Sequence, residues 1–280
     1  MKHISSNNIN DSNIEKFLQE FRTNLPFAHI VIDNFLLEES ANKILNNNFI
    51  LNENWTNYSF INNYKKSGLE DKKYMDRTCN ELLEELGSKE FMKKLSKITG
   101  INDIFFDPYL DGGGLHQTFN GGSLNVHTDF LAHKLKKKWK RVINLIIYMN
   151  KDWLDEYNGE LELWDVKVKK KIKKVSPIFN RCIIFKTDKK SFHGHPSKLN
   201  IPENMSRKSV IVYYYIKEEK DLDLHPTLYK STPSDSFLSK FLVKFDMFFS
   251  NIYGFLKRHR ILNDKFATKI LNFLNRRKYK

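Results

Sequence analysis

Cysteine is scarce: the 280-residue chain has two, Cys79 and Cys182. Two cysteines cannot build a disulfide framework, which excludes a small disulfide-stapled scaffold and makes a reducing cytoplasm the expected setting. Long apolar runs are also missing, and none approaches the roughly 20 residues needed to span a bilayer. Residues 1–13 are polar and rich in Asn and Ser, without the charged start and apolar centre of a signal peptide. Internal repeats are absent, so a solenoid or propeller is not expected. Beyond basic runs there is no nucleic-acid recognition motif, so nucleic acid is not an expected partner.

What is present is apolar and aromatic material for a sizeable core. Hydrophobic residues make up 40%, with 22 Phe and 12 Tyr, which excludes wholesale disorder. The length suits one large domain, or one domain with an appendage. The formal net charge of +14 is unevenly spread, because residues 235–280 hold eleven Lys/Arg against three Asp. This asymmetry is either a solvated basic face or a surface for an acidic partner.

The apolar spacing divides the chain. Residues 1–24 read as a polar lead with a short helix over 14–22, and residues 26–36 as a strand entering a turn. Residues 38–48 are helical in pattern, while 52–74 have weak periodicity and read as irregular or a short sheet extension. Residues 80–99 carry Leu82, Leu83, Leu86, Phe91, Met92, Leu95 and Ile98 at helical spacing, broken at Gly87-Ser88 and ended by Gly100. From Phe105 onward strand signals dominate. Asp111-Gly112-Gly113-Gly114 and Gly121-Gly122 read as turns around strands at 115–119 and 124–129. Further strands are expected over 141–150, 160–166, 181–186 and 209–216, with Asn158-Gly159 as a hairpin-type turn and the six lysines of 167–174 in an exposed hairpin. Many short strands behind a set of helices predict an α+β chain built on an antiparallel barrel or jelly roll. Residues 217–233 look like a linker. Residues 234–280 look like two helices, with apolar stripes at Phe237, Phe241, Leu242, Phe245, Phe248, Phe249 and Ile252, and again from Ile261 to Leu274. These stripes suit packing on the domain or a dimer partner, or peripheral contact with a membrane surface.

The chemistry-bearing residues cluster between 127 and 209. On an extended strand His127 and Asp129 point to one side while Thr128 faces away. His193 lies 64 residues beyond Asp129 (193 − 129), far enough to come from another strand. Two histidines and one carboxylate are the ligand set of non-haem Fe(II) oxygenases, since they occupy one face of an octahedral ion and leave the other open. His195 is a second candidate for the distal ligand. Arg207 and Ser209 share a strand face, where a guanidinium can hold a small dicarboxylate bidentately with a hydroxyl beside it. His29 has no partner at ligand spacing and reads as structural. The basic loop 133–140, with Trp139 inside it, is placed to flank the mouth of such a pocket or to be solvated.

At these residues the chain resembles the Fe(II)/2-oxoglutarate-dependent oxygenases of the prolyl 4-hydroxylase-like branch. The resemblance covers about 26–216 and rests on pieces in order: PFAHIVIDNFL, HTD, IIYMNKDW, NGELELWD, FHGHP and RKS. It implies a double-stranded β-helix (jelly roll) with N-terminal packing helices and a C-terminal helical appendage, divided at 1–24, 25–218 and 219–280. It implies Fe(II) on His127, Asp129 and His193, favouring His193 over His195, which becomes a substrate-side or supporting residue, as does Trp139. Arg207 would hold the distal carboxylate of 2-oxoglutarate, helped by Tyr148 and Ser209, with Asn144 and Gln117 as further polar groups of the pocket. The activity implied is hydroxylation of an unactivated C–H bond, with O2 consumed, 2-oxoglutarate converted to succinate and CO2, and ascorbate as reductant. By analogy the substrate is a prolyl residue of a protein or peptide. A small molecule, saccharide or lipid-linked glycan is the main rival, and a non-catalytic 2-oxoglutarate-binding module is the reading from another class. The stretch 196–206 looks like an inserted loop.

Overall fold

The computed structural model of the chain describes residues 1–58, 62–222, 227–241, 243 and 245. Four helices precede or flank the barrel strands. Helix α1 (Asp11–Thr23) leads to strand β1 (His29–Ile32), then to α2 (Glu38–Asn48). Strands β2 (Thr56–Tyr58) and β3 (Asn63–Leu69) follow, then α3 (Arg77–Leu86) and α4 (Lys89–Thr99). The break between α3 and α4 falls where the sequence places it. The Gly87 N–H bonds back to the Leu83 carbonyl, and Ser88 caps α4 by accepting from the Phe91 N–H. Gly100 ends α4 in the left-handed conformation (φ 68°), the usual end of a helix that stops at glycine.

The remaining strands are β4 (Phe105–Phe106), β5 (Gly114–Thr128), β6 (Trp139–Tyr148), β7 (Leu161–Trp164), β8 (Lys171–Val175), β9 (Cys182–Lys186), β10 (His193–His195), β11 (Arg207–Lys217) and β12 (Leu228–Tyr229). All pairings are antiparallel, and the spatial order along the main path is β1-β9-β6-β11-β5-β10-β7-β8. β3 and β12 join β5 on its other edge. The result is the expected jelly-roll barrel, nearly closed, with helices packed outside it.

β6 shows why its sequence is apolar on both faces. Ile143, Leu145 and Ile147 join the core formed with Leu82, Leu86, Phe91 and Leu95 of the helices. Ile146 and Tyr148 alternate with them and face the barrel interior beside Leu161, Leu163 and Phe185. Period-two alternation thus separates a structural layer outside from a functional layer inside.

Three expectations are corrected. Gly121-Gly122 is not a chain reversal: β5 runs continuously through it as a bulge, and the register with β3 shifts between Tyr64↔Ser123 and Lys66↔Thr118. A Cβ on Gly122 would come within 3.0 Å of the Phe119 and Tyr64 carbonyl oxygens, so only glycine fits there. The bulge lets one strand serve two sheets: residues 114–118 pair β11, and His127 pairs β10. Asn158-Gly159 does not join paired strands, since β6 pairs β9 and β11 while β7 pairs β8 and β10. Of the two readings of 52–74, irregular or a short sheet extension, the second holds: Thr56–Tyr58 and Asn63–Leu69 form β2 and β3. The supposed linker supplies β12, with Tyr229 opposite His127.

Residues 237–241, 243 and 245 are helical. Phe237, Leu238, Phe241 and Phe245 are exposed, and Val243 is buried. The rest of the two expected basic helices, with Leu242, Phe248, Phe249, Ile252 and the second stripe, lies outside the described residues. No helix among the described residues is long and apolar enough to cross a membrane.

Candidate active site

His127, Asp129 and His193 converge inside the barrel, with one potential ligand atom from each lying within 4.8 Å of the others. The local cause is strand geometry. His127 sits on β5 and Asp129 one residue beyond its end, two residues apart and on one side. His193 lies directly opposite His127 across the β5–β10 ladder, and such cross-strand side chains start about 4.5–5.5 Å apart. Their rings are 4.6 Å apart.

Both histidines are oriented alike. Nδ1 of His127 donates to the Asn125 carbonyl at 2.8 Å, and Nδ1 of His193 donates to the Ser191 carbonyl at 2.9 Å. This fixes the tautomer that leaves Nε2 as a lone-pair donor, the arrangement of a metal-ligating histidine with its other nitrogen tied down. The Nε2 atoms then face the Asp129 carboxylate at 3.6 Å and 3.5 Å. His29 makes the same Nδ1 contact, to the Phe27 carbonyl, but belongs to no ligand cluster. That contact alone is therefore not diagnostic; convergence is. Burial pushes the His193 imidazole down to about 4, so it is neutral, the ligating form, at neutral pH.

Asp129 is held from behind. Nδ2 of Asn144 donates to its Oδ2 at 2.6 Å, and the Asn144 amide oxygen accepts from Thr187 Oγ1 at 3.0 Å. The Arg141 guanidinium lies 3.6 Å from the same carboxylate, clamped between the rings of Phe130 and Tyr213 at 3.9 and 3.5 Å. Burial alone would raise the Asp129 carboxyl, but its interactions with His193, His127 and Arg141 outweigh that and hold the group well below the usual carboxylate range. A buried carboxylate and two imidazoles presenting Nε2 are a donor set that fits Fe(II).

The triad opens into a cavity of about 240 Å³, smaller than the roughly 300–1,000 Å³ of drug-sized ligand pockets. Arg207, Ser209 and Asn144 line it, as do His116, Lys66 and His195. Arg207 Nε donates to the Gly159 carbonyl at 2.6 Å, and Nη2 donates to the Tyr148 hydroxyl at 3.3 Å. The left-handed Asn158-Gly159 turn delivers that carbonyl, and a Cβ on Gly159 would meet Leu199 at 2.6 Å and Arg207 at 3.1 Å. Arg207 is buried with no carboxylate within ion-pair distance among the described residues. An unpaired buried cation is costly, and a bound carboxylate removes the cost. Burial raises the Tyr148 phenol while the Arg207 charge acts against it, so the hydroxyl stays protonated.

Other expected residues are placed differently. Tyr148 sits behind Arg207 rather than among the lining residues. Gln117 alternates with the lining residues His116 and Thr118, so it points away, and its amide oxygen accepts from Ser206. Trp139 joins an aromatic group with Phe105, Tyr109, His133 and Tyr215 and does not line the cavity. No residue of the basic loop 133–140 lines it either. His195 lies in the lining, outside the three-residue cluster, and its buried Nδ1 has no hydrogen-bond partner among the described residues. Among the residues that sequence reasoning missed are Arg141, beside Asp129, and the lining residues Tyr58, Lys66 and His116, with Thr227 and Tyr229 from the supposed linker. Arg141 carried one signal, a charge at the head of an apolar buried strand.

The 2OG-Fe(II) oxygenase superfamily matches residues 113–215, a segment that includes the triad and Arg207. No curated protein matches the chain in sequence. Among solved structures, a prolyl hydroxylase from Trichoplax adhaerens, in complex with a hypoxia inducible factor oxygen degradation domain peptide fragment, is 16% identical with a TM-score of 0.50. The match covers 75% of this chain and 91% of that one. A Pseudomonas putida prolyl-4-hydroxylase is 12% identical with a TM-score of 0.51, covering 73% and 99%. A prolyl 4-hydroxylase from Phytophthora capsici is 18% identical with a TM-score of 0.50, covering 96% and 91%. At these identities the likeness is one of fold. The matched segment, the barrel and the buried His–Asp–His cluster together strongly support membership of the Fe(II)/2-oxoglutarate oxygenase superfamily.

Proposed function

We propose that the protein is an Fe(II)- and 2-oxoglutarate-dependent dioxygenase that hydroxylates an unactivated C–H bond. One observation carries the reading: Arg207, a buried guanidinium with no acid partner among the described residues, shares a small cavity with a cluster of two histidines and a carboxylate. A hydrolytic metal site has no need of a carboxylate clamp, whereas a dicarboxylate co-substrate does.

His127, Asp129 and His193 would hold Fe(II), with Asn144 fixing the carboxylate and the Asn125 and Ser191 carbonyls fixing the two rings. When bound, the iron would supply O2 activation, coupling conversion of 2-oxoglutarate to succinate and CO2 to insertion of one oxygen atom into the substrate C–H bond. Arg207 would pair with the distal carboxylate of 2-oxoglutarate, with Tyr148 holding the guanidinium in place and Ser209 offering a hydroxyl nearby. The buried lining would keep bulk water from the reacting centre.

A prolyl residue of a protein or peptide is the substrate suggested by analogy, from neighbours 12–18% identical. Ascorbate as reductant rests on the same analogy. A cytoplasmic location accords with two free, buried cysteines.

Calorimetry with Mn(II) as a redox-inert substitute tests the assignment. The full chain should bind 2-oxoglutarate tightly only with the metal present, and Asp129→Ala should lose both. Metal-independent 2-oxoglutarate binding, or none, would refute the site.

A further inference from the structure

Arg207 is not the only cation in the cavity without an acid. Lys66 lines the same space. The ladder places Lys66 opposite Thr118 and Thr118 opposite Arg207, so the three occupy one row across β3, β5 and β11, and all three line the cavity. Two strand spacings put the Lys66 and Arg207 backbones about 10 Å apart. Among the described residues no carboxylate lies within ion-pair distance of the Lys66 ammonium. Asp129 and Glu70 reach it only through their fields, and Asp129 is the sole acid among the described lining residues. The Lys66 side chain is half-buried, and its partial removal from water, with Arg207 acting in the same direction, lowers the ammonium.

His195 shares this wall. It is 4% exposed, lines the cavity, and leaves Nδ1 without a partner among the described residues. His116, also in the lining, bonds the Gly113 carbonyl through Nε2 and likewise leaves Nδ1 free. A cation and an orphaned imidazole nitrogen facing one space point to a ligand.

The charges decide its sign. In the proposed reading, Asp129 and the carboxylates of 2-oxoglutarate answer the metal and Arg207, and Lys66 remains uncompensated. We propose that Lys66 is the substrate-binding cation of this site, and that the substrate carries an oxyanion, carboxylate or phosphate, close to the carbon that is hydroxylated. His195, with its unpartnered Nδ1 in the same lining, is the hydrogen-bonding neighbour of that anion. This rests on the assignment of Arg207 to 2-oxoglutarate, and it distinguishes the substrate from a neutral prolyl peptide.

The test uses the full chain saturated with Mn(II) and 2-oxoglutarate, so that the metal and Arg207 are occupied. Inorganic phosphate and propionate are titrated separately into wild type, Lys66→Met and Lys66→Arg. Wild type should bind at least one of them saturably, and which one identifies the oxyanion. Lys66→Met should weaken that binding tenfold or more, as loss of a charge-assisted contact in a water-poor site does, and Lys66→Arg should restore most of it. The 2-oxoglutarate affinity should stay within about threefold in both variants. Lys66→Gln replaces Lys66→Met if the latter does not fold. Absence of binding to wild type, or unchanged binding in Lys66→Met, overturns the proposal. So does a tenfold loss of 2-oxoglutarate affinity in Lys66→Met, which would assign Lys66 to the co-substrate clamp. Failure of wild type to bind 2-oxoglutarate at all would defeat the parent assignment instead.

Discussion

Replacing Arg207 with methionine separates co-substrate binding from folding. A guanidinium has five N–H donors. Arg207 uses one on Gly159 and one on Tyr148, which leaves three, enough for a two-pronged grip on a carboxylate. Losing that grip should cost about 3 kcal/mol of 2-oxoglutarate binding, or roughly a hundredfold in Kd. The apo protein should be little affected, because two effects oppose. The Gly159 carbonyl loses its donor, at about 1–3 kcal/mol, while a buried cation without an acid is removed. Thermal unfolding with Mn(II) gives the readout. At 2-oxoglutarate a thousandfold above the wild-type Kd, binding stabilises wild type by about 4 kcal/mol; in Arg207→Met, at tenfold above its own Kd, by about 1.4 kcal/mol. Equal stabilisation of the two proteins, or a variant that cannot fold without ligand, would refute the reasoning.

Other perturbations probe the surrounding shell. Asn144→Leu removes the 2.6 Å donor to Asp129 while keeping the volume, and should weaken Mn(II) binding about 10- to 100-fold in a direct titration. Truncation after Asp235 should preserve metal and 2-oxoglutarate binding. Truncation after Glu219, which removes β12 with Thr227 and Tyr229, should impair them; identical behaviour of the two truncations would show that β12 contributes nothing. Burial lowers His29, His116, His193 and His195 below 6.5, so between 6.5 and their folded values the unfolded chain binds more protons. The stability these four histidines contribute is therefore full above about pH 6.5 and is lost as pH drops, with His193 alone accounting for a loss of about 3 kcal/mol by pH 4. A flat denaturation midpoint from pH 7 to 5 would contradict this.

The helices were legible from apolar residues at helical spacing, and α4 most sharply because both its ends carry a local device, Ser88 capping its start and Gly100 ending it. The convergence of His127 with Asp129 was legible because it is a property of one strand. The approach of His193 was only inferable, since it depends on the β5–β10 register. Residues set by long-range pairing escaped. Lys66 lies in a stretch without clear periodicity, and its place in the wall is fixed by the ladder to Thr118. Tyr229 lies in a proline-containing stretch, and two residues of pairing with β5 bring it to His127. Gln117 was misplaced by one residue: facing alternates along a strand, so sharing a strand with the site did not put it in the site. Trp139 was misplaced because nearness in sequence to the ligand strand was read as nearness to the cavity, whereas its ring packs with Tyr215 on another face. Gly121-Gly122 looked like a reversal because a bulge and a turn need the same left-handed freedom.

The central claim is that this cavity couples 2-oxoglutarate to iron. The most direct measurement is succinate formation by the purified protein under air with Fe(II), 2-oxoglutarate and ascorbate, beside Asp129→Ala. Slow succinate production by wild type, absent in Asp129→Ala, is the predicted result. Succinate formed equally by both proteins, or wild type that neither forms succinate nor binds 2-oxoglutarate, would contradict the account.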